Sequence, residues 1–263
     1  ACPRENNTLL PLRWDDELLN LLVADPGRVA ALADATGATD LRWISGYLSV
    51  KEPHTGALDW HQDWWCWDHP VSFADTAPQI ALLVYLSDTD ERSGALRVRG
   101  REPVTLRARA GDAVALDYRL EHGTHPNAAA VRRDAVLLSF APHWAQLPAD
   151  IRGHLIGHLA QPTAGEEPAG HPVAPLLPHF DGPRRDLPRD GRPDDERKHQ
   201  RQQVQAGLGG THAPDDLEPL GQEDDRAEQE RGNRVAAERV AGIERALGES
   251  TISVNGEIRV KGQ

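Results

Sequence analysis

Gln79–Leu86, QIALLVYL, is a nearly continuous apolar run of strand length, and Asp134–Ala141, DAVLLSFA, is a second. Such runs fit strands buried on both faces, because a strand with one wet face would alternate polar and apolar residues. Between them the chain reads, in order, the turn signal DTDERSG, then ALRVR, then PVTLRAR with strict alternation, then Ala110-Gly111-Asp112 and AVALDY. Short strands at regular spacing, divided by Gly, Pro or Asp and never by a helix-length insert, predict an antiparallel sandwich or barrel rather than a βαβ fold.

Working outward, Leu41–Val50 (LRWISGYLSV) alternates loosely among β-formers and closes at Glu52-Pro53, which predicts the first strand of the sheet. Upstream, Asp15–Ala24 (DDELLNLLVA) and Pro26–Ala35 (PGRVAALADA) carry apolar residues at helical spacing and predict two short helices. Downstream of Trp144 the text turns Pro-rich and His-rich, and LLPHFDG at Leu176–Gly182 is its last convincing apolar anchor. From about Pro183 the composition shifts to Arg, Asp, Glu, Gln and Gly, and no Phe, Tyr or Trp occurs after Phe180. A segment with so little to bury cannot offset its ordering entropy, so the reading is a folded domain over 1–183 and a charged, low-complexity tail over 184–263. The tail is expected to be disordered, with a solvated helix possible over Asp224–Glu249.

Bulk numbers narrow the function classes. A formal charge of -12 and a pI near 5.4 speak against a nucleic-acid or anionic-membrane partner, either of which would need a basic face. Two cysteines are too few for a disulfide framework, and no stretch approaches the length of a membrane span or a secretory signal. A soluble cytoplasmic protein acting on a small molecule is the expectation, while oligomeric state is not readable. No Met occurs even at position 1, which suggests that residues preceding Ala1 belong to the protein.

The chemistry is concentrated in two places. Trp60-His61-Gln62-Asp63 places a His and an Asp two apart, and Leu120-Glu121-His122-Gly123 follows some sixty residues later. On an extended segment, residues i and i+2 share a face, so His61 and Asp63 can address one ion while Gln62 points away. With His122 at the end of a strand, two imidazoles and a carboxylate form a set suited to non-haem Fe(II) with its other positions open. Twelve histidines make any single one uninformative, and His125 competes with His122 on spacing alone. His143, His154 and His158 read as surface or loop residues. Four of the seven tryptophans, Trp60, Trp64, Trp65 and Trp67, crowd the first ligand pair, and Trp60 and Trp64 are candidates for a pocket wall. Gln79 is a candidate polar contact inside the barrel; Lys51, Tyr47 and Tyr118 are weaker ones.

GALDWHQDWWCW, SDTDERSGALRV, AGDAVALDYRLEHGTHPN and RRDAVLLSF resemble, in that order, the phytanoyl-CoA dioxygenase family of Fe(II)- and 2-oxoglutarate-dependent oxygenases. The resemblance runs from roughly Leu41 to Trp144, with a weaker echo to LLPHFDG. It implies an all-β core, a double-stranded β-helix or jelly roll with short flanking α-helices. It further implies that His61, Asp63 and His122 hold Fe(II) and that Arg133, eleven positions after His122, binds 2-oxoglutarate with help from Thr124. A guanidinium suits that task because its planar fork meets a carboxylate with two parallel hydrogen bonds. His125 then becomes a pocket residue. O2 is the implied co-reactant and succinate the implied coproduct, with hydroxylation of an unidentified small molecule as the activity. Retention of Asp63 speaks against a halogenase, whose relatives lose that carboxylate. The family usually carries a long insert after the GALRVRG stretch, whereas here Gly100 passes almost directly into REPVTLRARAGD. That departure leaves two alternatives open: a non-catalytic metal- or ligand-binding protein of the same fold, or a partial gene product.

Overall fold

The computed structural model describes residues 7–99 and 102–187 together with the strands Thr251–Val254 and Glu257–Val260. The chain enters through β1 (Thr8–Leu12), an edge strand that its Pro-containing sequence TLLPL did not announce. Two helices follow, α1 (Glu17–Val23) and α2 (Pro26–Thr36). Asp16 and Asp25 cap them by accepting the backbone N–H of Leu18 and Gly27 at 2.9 and 2.8 Å, Pro26 fills the first turn of α2, and Gly37 ends it at a φ of 66°.

The remaining chain builds β2 (Arg42–Lys51), β3 (Leu58–His61), β4 (Ile80–Tyr85), β5 (Leu96–Arg99), β6 (Pro103–Leu106), β7 (Ala113–Asp117), β8 (His122–Thr124) and β9 (Arg133–Ala141), then helix α3 (Ala149–Leu155). From β2 to β9 the chain passes back and forth between two sheets, except that β5 and β6 follow one another in the same one. The larger runs β1-β2-β9-β4-β7 and the smaller β3-β8-β5-β6, with antiparallel pairing throughout these strands. This is the double-stranded β-helix that the resemblance implies and that the strand spacing permits. Two further strands, β10 (Thr251–Val254) and β11 (Glu257–Val260), extend the larger sheet, β10 lying parallel to β7. The helix expected at Asp224–Glu249 lies outside the described residues.

Both apolar runs owe their continuity to burial on two faces. Along β4, Ile80 and Val84 pack outward under α1 and α2 with Leu18, Leu19 and Leu32, while Ala81, Leu83 and Tyr85 pack inward against Leu96 and Val98 of the smaller sheet. Along β9, Val136, Leu138 and Phe140 face the helices; Ala135 and Leu137 face the interior. Each such side chain contributes about 1.5–3 kcal/mol on leaving water, so the register of β4 and β9 is held from both sides. A third cluster, with Ile44, Trp64, Trp144, Ile151 and Leu155, brings α3 onto the loop that follows β3. This helix lies in the Pro-rich and His-rich segment after Trp144, where the sequence announced no element. Two histidines are corrected: His143 is buried with Nδ1 3.0 Å from the Thr39 hydroxyl, and His154 is half-buried against Trp65. Among the described residues, no helix is long and apolar enough to cross a membrane.

Candidate metal centre

β3 ends where β8 begins, and their register sets His61 opposite His122. One extra residue between Leu58 and His61 bulges β3, a device that re-aims side chains at a sheet end. The two backbones approach so closely that a Cβ on Gly123 would lie 2.7 Å from the Leu58 carbonyl oxygen and 3.0 Å from that of Asp59. Gly123 is thus the residue that lets the two histidine-bearing strands meet.

Asp63 lies just past β3 and is bracketed by two bonds to the chain leaving β7. The Gln62 side chain donates to the Arg119 carbonyl at 2.7 Å, and the Trp64 N–H donates to the Tyr118 carbonyl at 2.9 Å. Arg119 is itself pinned by a bidentate pair with Asp117 and by the carbonyls of Ser72 and Ala74. The loop carrying Asp63 therefore hangs from the end of the larger sheet, with Gln62 turned away from Asp63 as the alternation requires.

His61, Asp63 and His122 each direct one ligand atom to a common point, all three lying within 4.8 Å of one another. His61 Nε2 is 3.7 Å from Asp63 Oδ1, and His122 Nε2 is 3.5 Å from Oδ2. Metal–ligand bonds of about 2.1 Å set neighbouring donors roughly 3 Å apart, so small side-chain rotations close the set on an ion. The tautomers suit this. His61 Nδ1 lies 2.8 Å from the Asp59 carbonyl and His122 Nδ1 lies 2.9 Å from that of Leu120, so each Nδ1 carries the proton and each Nε2 keeps its lone pair for the centre. Burial depresses the His122 pKa and Asp63 works against it, with burial the larger effect, which favours the neutral ring a metal needs. His61 and Asp63 are only half-buried, so the centre has an open side.

Thr124 follows His122 on the same face of β8, and its hydroxyl accepts the Leu58 N–H at 3.3 Å. Arg133 opens β9 at 3% exposure, paired in register with the fully buried Lys51. No protein acceptor meets the Arg133 guanidinium among the described residues, and its Nε is buried without a partner. Burial lowers the Arg133 pKa, against the pull of Tyr85 and Asp134. Lys51 donates to the Gly56 carbonyl at 2.7 Å; burial, then the charges of Arg133 and Arg97, lower it to about 7. The buried Arg133 guanidinium, whose Nε has no hydrogen-bond partner, is costly to bury, and an incoming anion would relieve that cost.

Gln79 sits inside the barrel at its open end. Its Oε1 accepts the Trp65 indole N–H at 3.1 Å and its Nε2 donates to the Ser139 hydroxyl at 3.0 Å. Ser139 also bonds Tyr118, whose buried phenol is held above its ordinary pKa first by burial and then by the nearby Asp63 charge. The remaining candidates lie elsewhere. Trp64 is buried with its indole N–H on the Ser72 hydroxyl, and the guanidinium groups of Arg97 and Arg99 lie 4.8 and 4.6 Å from the centre of the Trp60 ring. His125 Nε2 meets the Thr105 hydroxyl at 2.8 Å, outside the trio. Sequence reasoning missed Ser139, although the alternation 133, 135, 137, 139 along β9 places it on the face of Arg133. It also missed His154, for which no local signal exists.

Residues 4–99 match the phytanoyl-CoA dioxygenase (PhyH) family, a stretch that holds His61 and Asp63 and stops short of His122 and Arg133. Among solved structures, the chain is similar to HygX from Streptomyces hygroscopicus with nickel and 2-oxoglutarate bound, at 17% identity over 54% of this chain and 72% of that one, TM-score 0.44. It is similar also to EvdMO1, at 20% identity over 54% of this chain, TM-score 0.43. A third is the non-haem α-ketoglutarate-dependent carbocyclase SnoK from nogalamycin biosynthesis, at 23% identity over 47% of this chain, TM-score 0.37. The chain spans 36% of EvdMO1 and 58% of SnoK. No curated protein matches it.

Proposed function

We propose that this chain, whose residues 4–99 carry the phytanoyl-CoA dioxygenase family pattern, is an Fe(II)- and 2-oxoglutarate-dependent oxygenase that hydroxylates a small organic molecule. The observation that carries the reading is the convergence of His61, Asp63 and His122, with donor atoms within 4.8 Å, in one barrel with a buried guanidinium that has no protein acceptor. Two neutral imidazoles and one carboxylate leave positions open on an iron ion and balance part of its charge. Iron, 2-oxoglutarate and O2 together supply the oxidising power, with release of CO2 and succinate.

The protein's own part is to hold and to exclude. Asp59 and Leu120 fix the rings of His61 and His122 through their carbonyls, so the donor atoms need little reorganisation when an ion arrives. Arg133 offers the distal carboxylate of the cosubstrate a bidentate contact, and the Thr124 hydroxyl, on the same strand face as His122, offers a second polar contact. The aromatic wall around Trp65 limits water beside the reactive centre. The substrate is small and is taken up at the half-exposed side, next to His61 and Asp63. The 1–183 segment is the working domain in this reading.

The test is anaerobic addition of Fe(II) and 2-oxoglutarate, followed by air and succinate analysis. A visible charge-transfer band and succinate formation are expected, with both lost in His61→Ala and the band weakened in Arg133→Ala. Metal binding without any succinate across a broad substrate panel would instead favour a ligand-binding protein of this fold, a second reading prompted by the short link from Arg99 to Pro103.

A further inference from the structure

Trp65 lies two residues past Asp63 and is held from two sides. Its indole N–H donates to Gln79, which donates to Ser139 on the interior face of β9. The ring is covered by His154 of α3, stacked at 4.2 Å between centroids and 30° between planes. His154 is itself held by the chain beyond the helix: its Nδ1 accepts the Leu187 N–H at 3.1 Å.

The stretch 179–187 wraps α3 with three contacts and makes a fourth to Trp144 just ahead of the helix. The His179 carbonyl accepts the Trp144 indole N–H at 2.9 Å, Phe180 lies 4.8 Å under the Arg152 guanidinium, the Arg185 N–H donates to the Gly153 carbonyl at 3.0 Å, and Leu187 meets His154. The wrap is close: a Cβ on Gly153 would lie 2.5 Å from the Pro183 carbonyl oxygen. A contact chain therefore runs from Leu187 through His154, Trp65, Gln79 and Ser139 to Tyr118, whose phenol feels the charge of Asp63.

We propose that 179–187 is a strap that positions the active-site wall. By clamping Gly153 and His154 it fixes the Trp65 indole beside the metal ligands, so that this wall is held from the C-terminal side. His154 and Leu187 are positioning residues for Trp65; none of the three touches the metal ligands' donor atoms. The oxygenase reading enters only in what the wall is for, namely to exclude water and seat the substrate. The physical link from strap to indole stands apart from it.

The test is fluorine NMR of the full chain labelled with fluorotryptophan, which gives one signal for each of the seven tryptophans, with Trp65→Phe assigning the signal of interest. Gly153→Ala pushes the strap away at Pro183, and His154→Ala removes the link while leaving the strap's other contacts. In either variant the Trp65 signal is expected to shift or broaden while those of Trp14 and Trp43, buried across the larger sheet, stay in place. Ni(II) affinity is expected to remain within twofold of the parent. Should Gly153→Ala fail to fold, His154→Ala decides alone. An unmoved Trp65 signal in folded His154→Ala overturns the proposal, and so does a uniform shift of all seven signals, which would mark a purely structural role. Succinate formation without substrate is a separate arm: its rise in His154→Ala supports the wall's function. Its absence in the parent protein, both without substrate and across the substrate panel, would remove the oxygenase reading and leave the strap result intact.

Discussion

Gly123→Ala is the substitution that most directly tests whether the approach of β3 to β8 makes the metal centre. The added methyl would sit 2.7 Å from the Leu58 carbonyl oxygen and 3.0 Å from that of Asp59, both backbone atoms that cannot rotate aside. Ordinary contact begins near 3.5 Å, so β3 must retreat by roughly half an ångström or more at this point. Overpacking of this kind costs about 1–3 kcal/mol of fold stability. The consequence for the site is more specific, because the Asp59 carbonyl that must move is the one that orients His61 through Nδ1. Loss of an orienting partner behind a metal-bound histidine weakens metal binding by about 10–100-fold. Calorimetric titration of the folded variant with Ni(II), at a temperature well below its unfolding midpoint, separates this from simple destabilisation. By mass action, a 100-fold loss would also remove up to about 2.7 kcal/mol of the metal's protection against unfolding. A folded Gly123→Ala that binds Ni(II) as tightly as the parent would refute the argument that this glycine sets the distance between the two histidines.

Arg133→Met should raise the unfolding temperature without ligand, because a buried guanidinium lacking a protein acceptor is replaced by an apolar chain of similar length. The same variant should lose about 2–5 kcal/mol of 2-oxoglutarate affinity; thermal shift with and without 2-oxoglutarate reads both effects, and a lower midpoint without ligand would contradict the first. Ser139→Ala leaves the Gln79 amide without its acceptor inside the barrel and is expected to cost about 1–3 kcal/mol, measured by urea unfolding; an unchanged midpoint would mean that Gln79 finds another partner. Glu166 is held at a pKa of about 2, first by the Thr163 backbone N–H and then by the Trp14 indole and Arg13, against a cost of desolvation. Its folded pKa lies below its unfolded one, so its stabilisation is complete above about pH 4.5 and disappears as pH falls toward 2. Glu166→Gln should therefore flatten that part of the acid-unfolding curve, and an identical curve would remove Glu166 from the account.

The parts of this molecule that sequence reveals are those in which one local pattern has one physical meaning. QIALLVYL and DAVLLSFA could be continuous only if both faces were covered, and the structure covers them with helices on one side and the smaller sheet on the other. His61 and Asp63 were legible because an i, i+2 pair on extended backbone shares a face. His122 needed more, since spacing alone left His125 in contention; the strand pairing brings His122 opposite His61 and leaves His125 bonded to Thr105.

What stayed hidden depends on contacts that no local period encodes. α3 is seven residues long and carries Gly153 as its fifth residue, each of which argues against a helix when propensity alone is weighed. It forms because Ile151 and Leu155 bury against Trp64 and Trp144, and because the absence of a side chain at Gly153 admits the backbone at Pro183. A helix sustained by such packing has no stability to lend on its own, so its position is set by what lies on either side of it. Here those sides are the strap and Trp65. In the strap proposal the space beside the candidate metal ligands is coupled to a stretch of chain some 120 positions away from Asp63, and a substitution at Gly153 is expected to move the Trp65 signal more than one at nearer but outward-facing Trp60.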